Sequence, residues 1–169
     1  MDSFISGPID GAAMELSLAE QKSWQNYLAA VLHMNTTLNR QLTTTHQLSL
    51  ADVQLLELLA NAPDGNIQMG QLAVASMALP SRLTRQVRRL EGDGLVERTT
   101  SPHDRRRVLA AITETARTLM EEAMVTYANE VRTYFLSPLT RPQVAAVATT
   151  CGQIDEALRR SMRPAGDQL

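Results

Sequence analysis

Residues Leu79–Thr113, LPSRLTRQVRRLEGDGLVERTTSPHDRRRVLAAIT, constrain the fold more than any other stretch, because three structural signals follow one another there in a fixed order. On a helix, Val87 and Leu90 fall within roughly 40° of Leu83, while Ser81, Arg85 and Arg88 lie opposite, at roughly 160°, 200° and 140°. One face can be buried and the other is cationic. Pro80 suits the first helical turn, where its missing N–H is not needed, whereas Leu79 is a poor N-cap. Gly92-Asp93-Gly94 then stops the helix and turns the chain. Leu95–Thr100 and Arg107–Ile112 read as two short strands joined by Ser-Pro-His-Asp-Arg-Arg. A basic helix followed at once by a β-ribbon with arginines at its tip is the layout of a winged helix-turn-helix.

The charge distribution agrees. Half of the sixteen cations fall within the 26 residues from Arg82 to Arg107, and all eight are arginine. Against the four acids of that window they leave +4, while the rest of the chain, with eight cations and fourteen acids, carries −6. The chain as a whole has a formal charge of −2. Near-neutrality thus conceals a basic patch of the kind that binds phosphate backbones.

Elsewhere the periodicity is helical. Residues 1–14, with Gly7, Pro8 and Gly11, read as an arm. From Glu15 to about Thr44, Trp24, Leu28, Val31, Asn35, Leu38 and Leu42 form a seam facing other helices, widened by Tyr27, Leu32 and Met34. Ser49 and Asp52 give a helix start signal, followed by a Leu-rich helix that ends in Asn-Ala-Pro-Asp-Gly. Gln68–Met77 reads as a short Ala-rich helix, the first of the helix-turn-helix. Thr113 caps a long helix with Glu114 in its first turn and a stripe of Ala116, Met120, Ala123, Tyr127, Val131 and Tyr134. Ser137-Pro138 breaks it. Thr140 and Gln143 form a capping box for a last helix carrying Val144, Val147, Cys151, Ile154 and Leu158 on one side.

The fold class expected is mainly α with a small two-stranded β-wing: a winged helix-turn-helix lobe at 48–112, helical dimerisation regions at 15–47 and 113–163, an arm at 1–14 and a tail at 164–169. The terminal helices carry more apolar surface than the small lobe needs, which points to a second copy and so to a homodimer.

Enzymatic, metal and cofactor chemistry find no footing. His33, His46 and His103 stand at no metal-ligand spacing, and there is no P-loop, nucleophile elbow or G-x-G-x-x-G motif. The chain therefore reads as a non-enzyme without cofactor. No apolar run reaches the length of a membrane span, the N-terminus lacks the pattern of a secretory signal, and a single cysteine fits a reducing compartment. A cytoplasmic location and no membrane partner are expected.

The run S-R-L-T-R-x-V-x-R-L-E-x-x-G-L-V-E-R, followed by D-R-R and by I-T at the next helix start, resembles the MarR family of transcriptional regulators. The resemblance spans roughly residues 20–162 and is most specific over 81–113. It implies a dimer joined through the N- and C-terminal helices, and a ligand-responsive regulator, a repressor by default, on a pseudo-palindromic duplex. Ser81, Arg82, Thr84, Arg85 and Arg88 are expected at the major groove or its flanking phosphates. Arg105 and Arg106, at the wing tip, are expected at phosphates and the minor groove. The family's Asp-x-Arg wing signature falls on Asp104 and Arg106, which gives Asp104 the role of pairing with a neighbouring arginine and holding the wing's shape. By the same resemblance, Met34, Met120 and Met124 sit near the family's ligand pocket, and His33 and Arg40 could anchor a phenolic or carboxylate effector. Plain core filling is the competing role for the methionines. Some family members sense oxidants through a cysteine early in the first helix. Here Cys151 lies on the apolar stripe of the last helix, where a buried, inert role is expected. Two other classes stay open on sequence: a winged-helix module for a protein or RNA partner, and a structural helical dimer that binds no DNA.

Overall fold

The computed structural model describes residues 16–63, 65–101, 104 and 106–162. The arm at 1–14, the tail at 164–169, and the wing residues His103 and Arg105 lie outside them. The chain divides into two compact units, Met1–Thr36 and Thr37–Leu169.

The first unit holds the beginning of α1 (Leu18–His46). Ser17 and Glu20 start this helix reciprocally: the Ser17 N–H and hydroxyl donate to Glu20 Oε2 at 2.8 and 2.7 Å, and the Glu20 N–H donates to Ser17 Oγ. These bonds hold the Glu20 carboxyl below its ordinary pKa. The Trp24 and Tyr27 rings sit 5.9 Å apart. Both are exposed, as are Leu28, Val31 and Leu32. The predicted seam is therefore exposed over this half, where the described residues of the unit hold no other element to pack on it. The seam becomes a core only at Leu38 and Leu42, which belong to the second unit and are buried.

In the second unit, α2 (Leu50–Ala60) is the central element. Ser49 and Asp52 close a full capping box at its start, satisfying backbone donors that would otherwise be orphaned. Leu50, Asp52, Val53, Leu55, Leu56 and Leu59 are all buried, so the helix is covered on most sides and shows little amphipathicity. Strand β1 (Ile67–Gln68) leads directly into α3 (Met69–Ala75). Helix α4 (Pro80–Gly92) follows after a four-residue turn at 76–79. Strands β2 (Val96–Thr100) and β3 (Val108–Ile112) form the ribbon, paired antiparallel from Val96↔Ile112 to Thr100↔Val108.

The sheet has three strands in the order β1-β3-β2. The sequence pattern predicts only two, because β1 contributes two residues, Ile67 opposite Ala110 and Gln68 opposite Leu109, too few to display an alternation. Gln68 accordingly ends a strand and caps α3 rather than opening that helix. At the other end of α4 the chain reverses through Gly94, whose φ of 70° suits glycine, and the Leu95 N–H donates to the Leu90 carbonyl.

Thr113 joins sheet to helix. Its hydroxyl donates to the Gly94 carbonyl at 2.8 Å and accepts from the Ala116 N–H, capping α5 (Glu114–Val131). Ala116, Met120 and Ala123 of the predicted stripe are buried, whereas Tyr134 is exposed. The helix does not break at Ser137-Pro138 alone. It first widens into a π-helical turn, Arg132–Leu136. Helix α6 (Arg141–Met162) starts at Thr140, whose N–H and hydroxyl both donate to Gln143 Oε1 at 2.8 Å. Its predicted apolar side is half-buried at Val144 and Val147 and exposed at Cys151, Ile154 and Leu158. The expectation that Cys151 is buried is thus corrected: among the described residues α6 packs extensively against no other element, and the thiol is exposed. No helix among the described residues is long and apolar enough to cross a membrane.

A candidate nucleic-acid interface on α4 and the wing

Helix α4 is built as a two-faced element. Leu83, Val87 and Leu90 are at most 1% exposed, and their burial fixes the rotation of the helix about its axis. That rotation places Ser81, Arg82, Arg85, Arg88 and Arg89 outward, all exposed, and Thr84 half-buried. The Thr84 hydroxyl donates to the Pro80 carbonyl at 2.8 Å.

The arginines divide into two groups. Arg89, Arg98 and Arg107 are neutralised within the fold. Arg89 pairs with buried Asp52 and reaches Asp93 at 3.3 Å. Arg98, on β2, pairs with Glu91 at the end of α4, its Nε at 2.9 Å from Oε2. Arg107 pairs with Asp104. Arg82, Arg85, Arg88 and Arg106 are exposed, and their guanidinium groups have no acidic or hydrogen-bonding partner among the described residues. Arginine held in no internal pair is available to phosphate and base edges, at no cost in broken internal bonds.

Asp52 is the residue that sequence reasoning assigned only half its work. Besides capping α2 it accepts from Gln86 Nε2 at 2.9 Å and from Arg89, so it anchors the outer helix to the central one. Burial by itself pushes the carboxyl pKa up. Hydrogen bonds from Ser49 and Gln86, aided by the Arg89 charge, outweigh that and hold it below the ordinary aspartate value. The signal was present in the sequence as a carboxylate three residues after Ser49, but its long-range partners were not, because Gln86 and Arg89 lie more than thirty residues away.

In the wing, Asp104 organises the turn. Its Oδ1 accepts from the Arg106 N–H at 3.0 Å and its Oδ2 from Arg107 Nε at 3.1 Å. The Asp104 carbonyl accepts from the Arg107 N–H at 2.9 Å. The carboxylate thus holds the backbone at Arg106 and the side chain of Arg107, which leaves the Arg106 guanidinium projecting. Arg105 cannot be placed alongside it, being outside the described residues.

The residues named for an effector fall in both units. His33, exposed, and Met34, half-buried, belong to the first. Arg40, exposed, Met120, buried, and Met124, half-buried, belong to the second. A tie the sequence did not announce is His46 Nε2 against Thr126 Oγ1 at 2.8 Å, which fastens the end of α1 to α5. No group of side chains suited to a metal ion is present among the described residues.

Comparison with known proteins places this geometry. Residues 48–108 match the family model described as MarR family. Sco3205 from Streptomyces coelicolor, a MarR family transcriptional regulator solved in complex with DNA, superposes with a TM-score of 0.81 at 27% identity, over 90% of this chain and 97% of its own. AbsC, a MarR family transcriptional regulator from the same organism, gives 0.79 at 28% identity, over 87% and 99%. The transcriptional regulator BldR from Sulfolobus solfataricus gives 0.69 at 25% identity, over 86% and 99%. No curated protein matches the sequence. The family model covers the helix-turn-helix and the first part of the wing, and the likeness to solved MarR family transcriptional regulators extends over nearly the whole chain.

Proposed function

We propose that this protein is a ligand-responsive transcriptional regulator, acting as a repressor, that binds a pseudo-palindromic duplex operator as a homodimer. The observation that carries this is the partition of the arginines: the guanidinium groups of Arg82, Arg85, Arg88 and Arg106 are unpaired among the described residues, while Arg89, Arg98 and Arg107 are held in ion pairs within the fold. A patch meant only to solubilise the chain has no need of that division. Ser81, Arg82, Thr84, Arg85 and Arg88 enter or border the major groove, where bidentate arginine reads guanine. Arg106, with Arg105, reaches phosphates and the minor groove. Asp104 acts by shaping the wing.

The homodimer is supported by apolar surface exposed among the described residues, at Trp24, Leu28 and Val31 in the first unit and at Ile154 and Leu158 in the second. A two-fold pair would cover each patch with its own symmetry mate and would match a two-fold operator. The effector, a phenol or carboxylate, rests on the likeness to MarR family regulators and on Arg40, an exposed cation with no polar partner among the described residues. Selection from random duplex DNA, with and without candidate phenols and carboxylates, tests the whole proposal. A pseudo-palindrome bound in a salt-dependent way, and released by one of those compounds, is the expected result. Absence of any preferred duplex would overturn it.

A further inference from the structure

Val74, Met77 and Leu79 are 80%, 75% and 72% exposed, more than any other large apolar residue described from Thr37 onward. They are not scattered. Together with Ala73, Pro80 and Leu83 they line a single open concavity, in which Thr84 of the recognition helix is the one polar side chain. Two of the three also sit where local chemistry asks for something else. Met77 has φ 50°, a conformation that glycine or asparagine adopts more cheaply. Leu79 is the N-cap of α4 and supplies no capping hydrogen bond, where Ser, Thr or Asn would. Fold stability alone would favour small or polar residues at both positions. Their apolar surface has no cover among the described residues.

The position of the concavity identifies the occupant. It shares Met77 and Ala78 with a neighbouring concavity that Arg82 lines, and it includes Pro80, Leu83 and Thr84 of the first turn of the recognition helix, the part that comes nearest to base edges when such a helix enters the major groove. It has no cation, so it does not suit a phosphate. The apolar feature of the major groove is the C5-methyl of thymine. We propose that Leu79, with Met77 and Val74 beside it, reads thymine methyl groups, and that each half-site carries an A·T pair next to the base contacted by Arg85. The inference rests on the DNA-binding function proposed above and adds to it a base preference that hydrogen bonding does not supply.

The test replaces thymine by deoxyuridine, which removes only the methyl group, one position at a time in the selected duplex. For the wild-type chain, one position per half-site should weaken binding by about fourfold per methyl. Leu79→Ser should bind the two duplexes equally, and the new hydroxyl suits the N-cap, so the variant folds. Leu79→Ala, which offers no new hydrogen bond, should behave alike. Wild-type binding indifferent to every thymine methyl would overturn the inference, as would full methyl discrimination retained by Leu79→Ser, Met77→Ser and Val74→Ser. Methyl-indifferent binding combined with loss of self-association in Leu79→Ser would assign the patch to a second copy instead. Failure to select any duplex would be a different result, removing the DNA-binding function itself.

Discussion

Arg85 and Asp52 show how differently two charged residues in one lobe can be employed. Arg85 points away from Leu83 and Val87 and touches no polar group among the described residues, so its removal costs the fold almost nothing. Arg85→Ala should lower affinity for the selected duplex by about 1–3 kcal/mol, relax preference at one base position per half-site, and leave thermal unfolding unchanged. Equal binding by the variant would show that the helix is rotated differently on DNA. Asp52 is the opposite case. Its folded pKa is depressed, so the stability it contributes is fully present above the ordinary aspartate value of about 4 and is lost as pH falls through the lower folded value. Asp52→Asn, which breaks the attraction to Arg89, should cost about 1.5–3 kcal/mol at neutral pH and flatten the fall in stability on acidification. Denaturant titrations at pH 7 and pH 3 check both, and an unchanged acid limb would contradict the assignment. The outward arginines were readable from sequence because a 100° step separates them from three leucine-like positions. The Asp52 network was not, since nothing local announces a partner on another helix.

At the scale of elements, the caps and turns were legible and the smallest strand was not. Ser49, Thr113, Thr140 and Gly94 each mark a boundary through chemistry confined to a few residues, and each does so in the structure. β1 has no such mark, because a two-residue strand exists only by virtue of β3 beside it. The π-helical turn at Arg132–Leu136 likewise has no sequence signal stronger than the Ser137-Pro138 that follows it. The wing is the element whose mechanism can be separated most cleanly. Asp104→Ala makes the wing more positive, so electrostatics alone would tighten binding to any DNA. Because Asp104 holds the Arg106 backbone and the Arg107 side chain, specific binding should instead weaken while binding to scrambled duplex stays level or rises. Tighter operator binding by this variant would reduce Asp104 to an ordinary surface charge.

For the whole molecule, the predicted seams on the terminal helices were correct as patterns but misleading as burial. Trp24, Leu28, Val31, Ile154 and Leu158 recur at helical spacing and still stand exposed. Periodicity reports that a face is apolar, not which chain covers it. Sedimentation at low micromolar concentration should therefore give about twice the 18.6 kDa chain mass, and a monomer that binds a palindrome tightly would contradict the dimer. The central claim, that unpaired arginines face DNA while paired ones serve the fold, is tested most directly by the slope of log K against log[salt] for the selected duplex. Arg106→Ala should make that slope shallower by about 0.9, the value of one phosphate contact on B-DNA. Arg98→Ala, whose guanidinium is spent on Glu91, should leave the slope where it was. A slope that moves with Arg98 and not with Arg106, or that is flat in the wild type, would contradict the account.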